Sequence, residues 1–332
     1  MTIRVLHMGL GPIGSAIVRQ VAARPGFKIV AAVDIDEDKV GRDLGDVAGA
    51  ERKLRVKITD DVTRAIKKTD PDVVVLCTSS SLGKVAGQLE VILKRRVPIV
   101  STTEELAYPY FSNRKLAKRI DGMAKKAKVA VVGTGVNPGF TMDALPITLT
   151  AVCERVDAIR VDRVQDAARR RLPFQQKIGA GLTAAEFQER VDAGTVRHVG
   201  LTESIAMIAD AMGWKLERIT DEIAPKLAEA PVSSEFLTVP AGRVCGILQD
   251  GVGYRDGAPV ITLHMEAYLG APASYDAVHI SGSPEIRSRI EGGVHGDVAT
   301  ASITVNSIPA VLAARPGLHT MRSLRLPSYF GG

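Results

Sequence analysis

Apolar and polar positions alternate in blocks through the first 133 residues. Short, near-continuous apolar runs at residues 3–8, 28–34, 54–58, 73–77, 98–101 and 129–133 predict strands. The amphipathic stretches 13–23, 62–68, 85–95 and 114–126 between them predict helices. Runs that are apolar on both faces belong to strands covered on both sides, and strands alternating with helices build a parallel sheet. Pro71 comes before Val73-Val74-Val75 and does not interrupt it, as proline near a strand opening does not. The expectation for this half is a Rossmann fold, an α/β doubly wound parallel sheet.

The pattern changes after Gly139. Helices are expected over 142–152, 183–191 and 202–212, and an alternating strand over 156–163. Thr183 followed by Glu186 has the spacing of a capping box. Strands over 243–248 and 260–269 flank a turn-rich stretch, 249–259, containing Asp250-Gly251 and Asp256-Gly257, which predicts a hairpin with a long loop. A short strand at 277–281 and a helix over 297–313, interrupted at Pro309, complete the reading. We expect a second, α+β domain on an antiparallel or mixed sheet. The domains are drawn at 1–140 for dinucleotide binding and 141–332 for substrate binding and oligomerisation, with the C-terminal helix free to return to the first.

Composition narrows the class. The 332 residues are 45% hydrophobic and 24% charged, an ordinary soluble balance with room for two cores. The net charge of +6 comes from scattered basic residues such as Lys115, Lys118 and Arg119, and aromatics are only 4%. Neither a basic patch nor a stacking platform is present, so no nucleic-acid partner is expected. No apolar run is long enough to span a bilayer, and no signal segment precedes the first strand, so no membrane partner is expected and the location is read as cytoplasmic. Cys77, Cys153 and Cys245 are far apart and odd in number. A disulfide framework and a structural metal site are both unexpected.

Gly9-Leu10-Gly11-Pro12-Ile13-Gly14 matches the dinucleotide fingerprint, and its context strengthens it: a strand precedes, a helix follows, and Asp34 ends the next strand. Gly9 allows the tight turn, Gly11 lets the backbone approach a pyrophosphate, and Gly14 lets helix and strand pack closely. The first amides of the helix, around Pro12 and Ile13, are the anion site. Asp34 suits the adenosine ribose hydroxyls and favours NAD, whereas Arg42 and Lys39 leave NADP open. Thr78 and Ser79 follow the strand at 73–77, either as cofactor contacts or as an ordinary polar turn. Asn137, in Gly135-Val136-Asn137-Pro138-Gly139-Phe140, offers a donor and an acceptor beside glycines. The segment Thr102-Thr103-Glu104-Glu105-Leu106 closes another apolar strand. Glu104, nearer the strand end, is the candidate general base, with a helix-capping acid as the alternative.

These residues carry a resemblance. The first half resembles the dihydrodipicolinate reductase-like Rossmann domain. The whole chain more closely resembles the 2,4-diaminopentanoate dehydrogenase family and related native amine dehydrogenases. The likeness rests on Val33-Asp34, Val40-Gly41-Arg42-Asp43-Leu44-Gly45, Glu104-Glu105-Leu106-Ala107-Tyr108-Pro109, the Gly135–Phe140 segment, and Lys177-Ile178-Gly179-Ala180-Gly181. It implies reversible oxidative deamination of an amine or diamino acid with NAD or NADP, a carbonyl product and ammonia, and a homodimer. The resemblance puts the handling of amine and water protons on Glu104. Glu105, Phe140, Arg163, Gln165, Arg169, His198 and His264 are candidate substrate contacts, with core or surface roles as the alternatives. The paired histidines and lysine of the reductases themselves have no match between Val156 and Gly181. A dihydrodipicolinate reductase-like imine or enamine reductase is the rival activity.

Overall fold

The computed structural model describes residues 2–331, and the chain divides into two compact units, Met1–Phe140 with His295–Gly332, and Thr141–Val294. The first unit contains β1 (Ile3–Met8), α1 (Pro12–Ala23), β2 (Phe27–Val33), α2 (Leu44–Ala48), β3 (Ile58–Thr59), α3 (Val62–Thr69), β4 (Val73–Leu76), α4 (Leu82–Leu93), β5 (Ile99–Ser101), α5 (Arg114–Ala127) and β6 (Ala130–Gly133). The second contains α6 (Ala144–Leu149), β7 (Arg155–Asp166), α7 (Leu172–Lys177), α8 (Ala184–Asp192), α9 (Leu201–Ala211), β8 (Arg218–Leu227), β9 (Val232–Ser233), β10 (Thr238–Val239), β11 (Val244–Arg255), β12 (Ala258–Tyr268), β13 (Tyr275–Ser283) and β14 (Ile286–Glu291). The chain then rejoins the first unit as α10 (Gly296–Leu312) and β15 (Gly317–His319).

Among the described residues the first sheet has seven parallel strands in the order β15-β6-β5-β4-β1-β2-β3. It is the doubly wound α/β sheet the apolar runs predict. β2 lies on one side of β1 and β4 on the other, so the winding reverses at β1 and opens a crevice at its carboxyl end. Leu6, Val74, Leu76, Ile99 and Val131 are fully buried beneath Leu82, Val85, Leu89 and Ile120. Each such aliphatic side chain contributes about 1.5–3 kcal/mol by leaving water. The strand expected at 54–58 shrinks to Ile58–Thr59, which pairs with Ala32 and Val33. The residues before it are claimed by Asp43: its carboxylate accepts from Leu54 N at 3.0 Å, and Leu44 N donates to Val56 O.

The second sheet is mixed, in the order β14-β13-β7-β12-β11-β8, with β7 and β12 its parallel pair. Its covered face presents Ile159, Val161, Ile261, Leu263, Met265, Val278 and Ile280 to Phe187, Leu201, Ile205 and Ile208 of α8 and α9. Pro225 is tolerated because β8 is an edge strand. α8 opens with the expected capping box: Glu186 N donates to Thr183 Oγ1, and Thr183 N donates to Glu186 Oε2.

The long hairpin loop expected over 249–259 is absent. β11 and β12 run through it and are joined by Asp256-Gly257, both with positive φ. Glycines 251 and 253 are packing positions, since a Cβ at either would stand 2.9 Å from Ile205 of α9. Helix α9 thus sits close against the sheet where the sequence suggests a turn. Gly251→Val is expected to overpack this contact and cost about 1–3 kcal/mol in denaturant unfolding. A turn residue would tolerate the same change with almost no loss.

Candidate functional site

The glycine turn lies at the carboxyl end of β1. Gly9 has φ +96°, and a Cβ there would stand 2.5 Å from Cys77 O at the end of β4. At Gly14 a Cβ would stand 1.9 Å from Gly9 O. Gly11 differs from both: it has no heavy atom within 4 Å of its would-be Cβ. Nothing in the packing requires a glycine at 11, whereas a ligand approaching the backbone does. Gly11 is also the N-cap of α1, with Pro12 in the first turn and no side-chain cap. The helix start leaves amides such as Ile13 N to an anion. These features fit the pyrophosphate of a nicotinamide dinucleotide.

Asp34 closes the other side of the turn. Its Oδ2 accepts from Leu10 N at 2.6 Å and its Oδ1 from Asp36 N at 3.0 Å. Lys39 Nζ lies 3.7 Å from Asp34 Oδ2 and 2.9 Å from Asp36 Oδ2, and the hydrogen bond to Asp36 raises its pKa. Arg42 is exposed and donates to Asp38 O at 3.3 Å. Thr78 donates to Gln88 of α4 at 2.6 Å, and Ser79 Oγ accepts from Ser81 N at 3.2 Å, so both hydroxyls serve the local turn. Cys77 beside them is an inert thiol, pushed up to about 12 by burial.

The ends of β4, β5 and β6 are tied together. Thr103 Oγ1 donates to Ser79 O at 2.8 Å, and Ser101 Oγ donates to Leu76 O at 2.9 Å. A Cβ at Gly133 would stand 2.5 Å from the Leu106 carbonyl carbon, so β6 can lie directly against the single turn Glu104–Leu106. That turn treats its two acids differently. Glu105 accepts from Leu82 N at 2.7 Å and caps α4, whose own N-cap residue Ser81 makes no side-chain cap. The half-buried Glu104 carboxylate has no hydrogen-bond or ion-pair partner among the described residues. Asn137 is buried next to a cis bond to Pro138, Val136 N donates to Thr300 of α10 at 3.2 Å, and Phe140 is half-buried.

In the second unit the expected substrate contacts are spread over different surroundings. Arg163 is 2% exposed and pairs with Asp276 across β7 and β13 at 2.5 Å. Its Nη2 donates to Val294 O at 2.9 Å while Val294 N donates to Asp276, so the ion pair holds the end of this unit. Gln165 donates to the same carbonyl at 3.2 Å and accepts from Arg170. Arg169 is solvated, 3.8 Å from Asp166. His264 lies on the sheet face opposite α8 and α9, between Asp250 at 2.7 Å and Glu266 at 2.9 Å. Burial opposes its protonation, yet the hydrogen bonds to the two carboxylates raise its pKa.

His198 stands apart. Its backbone is bracketed by Gln249, which accepts from His198 N at 2.9 Å and donates to His198 O at 3.0 Å. Its buried Nδ1 has no partner among the described residues. Burial, then the charges of Lys177, Arg163, Arg170 and Arg197, push the imidazole down to about 3. The neutral ring therefore sits near four basic side chains, of which Arg163 is paired with Asp276 and Arg197 with Asp221. In the sequence Lys177 stands out only as the first residue of the Lys177–Gly181 segment, and nothing there points to its place near His198. Nor does the sequence single out His7, a lone polar residue in the apolar run of β1 that bonds Gly9 O at 2.9 Å.

Known proteins resemble this chain along its whole length. A family model described as the 2,4-diaminopentanoate dehydrogenase C-terminal domain matches residues 140–332. A second, described as dihydrodipicolinate reductase N-terminus, matches residues 3–133. A 2,4-diaminopentanoate dehydrogenase of Acetoanaerobium sticklandii is 36% identical, over 98% of this chain and 94% of the relative. An amine dehydrogenase of Streptomyces virginiae is 23% identical over 97% and 96% of the two chains. The solved structure of an amine dehydrogenase from Mycobacterium smegmatis superposes with a TM-score of 0.87 at 26% identity, covering 100% of this chain and 98% of that one. Among the described residues no helix is long and apolar enough to cross a membrane, and no cluster of His, Cys, Asp and Glu has the makings of a metal site.

Proposed function

Since this chain belongs to the 2,4-diaminopentanoate dehydrogenase family, we propose that it oxidatively deaminates an amine that also carries a carboxylate, reversibly and with a nicotinamide cofactor. It is an oxidoreductase of the amine-dehydrogenase kind, and its Rossmann unit is the cofactor-binding half. The glycine turn and the uncapped start of α1 would hold the pyrophosphate, and Asp34 would hold the adenosine ribose. The nicotinamide, when bound, supplies the hydride acceptor.

The observation that carries the reading is the division of labour between adjacent acids. Glu105 is committed to Leu82 N, while Glu104 keeps its carboxylate lone pairs free. Glu104 takes a proton from the substrate ammonium, leaving the neutral amine that can lose hydride. Once Glu104 has passed that proton to solvent, water attacks the resulting iminium carbon and Glu104 takes the proton that water releases. The carbinolamine collapses to a carbonyl as its nitrogen leaves as ammonia. The balance is amine, water and oxidised cofactor giving carbonyl, ammonia, reduced cofactor and one proton. This role is general-base catalysis by a positioned carboxylate.

A carboxylate-bearing substrate is supported by the field around His198. Lys177, Arg170 and Arg197 act on a neutral ring whose Nδ1 is unpartnered among the described residues, and such a field favours an anionic group. Cofactor choice follows from Asp34 and Lys39 together. Asp34 favours the ribose hydroxyls of NAD, and Lys39, held by Asp36 and Asp34, is the cation nearest a 2′-phosphate, so NAD is the preferred cofactor and NADP the weaker one. A cytoplasmic location belongs to the same reading, with Cys77, Cys153 and Cys245 all free thiols.

Homodimer formation is part of the proposal. The sheet face opposite α8 and α9 offers half-buried Leu248, Val252 and Tyr254 to a second copy. Sedimentation is expected to give the mass of two chains, and a single-chain mass over the micromolar range would contradict it. Glu104→Gln is expected to lower turnover of 2,4-diaminopentanoate by about 10²–10⁴-fold with the dissociation constant of the reduced cofactor unchanged. Wild-type turnover by this variant would remove the mechanism. Run with NAD and with NADP, the same assay is expected to show activity with both.

A further inference from the structure

His7 is 1% exposed, on a strand whose neighbours Val5 and Leu6 are fully buried. Its Nε2 lies 2.9 Å from Gly9 O. A carbonyl oxygen only accepts, so Nε2 carries the proton and Nδ1 is bare. That Nδ1 is buried and has no partner among the described residues. Burial pushes the ring down to about 4, which keeps it neutral. As packing, an imidazole with one unsatisfied nitrogen is inferior to a leucine at the same place. What distinguishes His7 is the bond made by its other nitrogen.

The carbonyl of Gly9 and the N–H of Leu10 belong to one planar trans peptide, so they point in opposite directions. The N–H donates to Asp34 Oδ2 at 2.6 Å. This peptide is therefore gripped at both ends, by His7 on the carbonyl and by the ribose-binding acid on the amide. Without the grip, Gly9 is the residue best able to let the plane turn over. A turned plane would present a carbonyl to the Asp34 carboxylate, where two acceptors repel. Gly14 keeps the arrangement open: a Cβ there would come within 2.9 Å of His7 Nε2.

We propose that His7 is a positioning residue for the dinucleotide, fixing the Gly9–Leu10 peptide plane and, through it, the Asp34 carboxylate before the cofactor arrives. The inference rests on the nicotinamide-dinucleotide reading of the turn. It assigns a buried side chain that never touches the ligand a share in cofactor affinity.

The test titrates NADH and NADPH into the full chain by fluorescence and records thermal midpoints beside the affinities. His7→Leu fills the space without a donor, and it is expected to weaken binding about tenfold, the worth of one such hydrogen bond. Its thermal midpoint should stay at or above that of the wild type. In steady state the cofactor KM should rise while kcat at saturation holds. His7→Gln carries an amide donor and is expected to recover affinity to within about threefold of the wild type. Wild-type affinity in His7→Leu would overturn the proposal. So would a loss of affinity that tracks a fall in midpoint and is not recovered by His7→Gln. A wild-type protein that binds neither NADH nor NADPH would overturn the cofactor reading itself, and this inference with it.

Discussion

Gly9 lies so close to the end of β4 that a Cβ would stand 2.5 Å from Cys77 O. The parallel strands of the first unit can converge at one crevice because side chains are missing at such points. β6 meets the turn after β5 in the same way, through Gly133. Close approach fixes the backbone, and the backbone then presents amides and carbonyls without help from flexible side chains. Gly11 is the exception that marks the ligand's place, since no neighbour crowds it. The tight contacts at Gly9 and Gly14 leave the uncrowded Gly11 at the start of α1 open to an approaching ligand.

The same economy governs the acidic turn. Two adjacent glutamates follow β5, and a 3₁₀ turn sends them in different directions. Glu105 stabilises α4 through Leu82 N, a capping interaction worth about 0.5–2 kcal/mol. Because that need is met, Glu104 is released from structural duty and its carboxylate remains available for proton transfer. In the second unit the balance is reversed for Arg163. Its charge is consumed by Asp276 and Val294, and the other basic side chains near the neutral His198 are Lys177, Arg170 and Arg197.

Much of the first unit is legible in the sequence because buried parallel strands leave continuous apolar runs. Residues 3–8 and 73–77 differ from the observed β1 and β4 by at most one residue. Asp34 and the glycine turn are legible from their spacing together with the strand and helix around them. The short β15 is not, because three residues of an edge strand carry no periodic signal. β8 and β14 were also missed, since half-exposed strands such as Ile286–Glu291 look like polar surface. Glycines 251 and 253 misled because the sequence cannot distinguish a glycine that turns from one that admits a helix. His264 and Arg163 stood out as isolated polar residues, and only three-dimensional pairing reveals their carboxylate partners. His7 went unread for the opposite reason, since its partner is a backbone carbonyl.

The proposed reaction oxidises a carbon bearing nitrogen, and water then replaces that nitrogen. The most direct measurement follows ammonia release and cofactor reduction together while the chain acts on 2,4-diaminopentanoate. One ammonia is expected for each NAD or NADP reduced. Cofactor reduction without ammonia, or oxidation of NADPH by a cyclic imine with no requirement for ammonia, would contradict it.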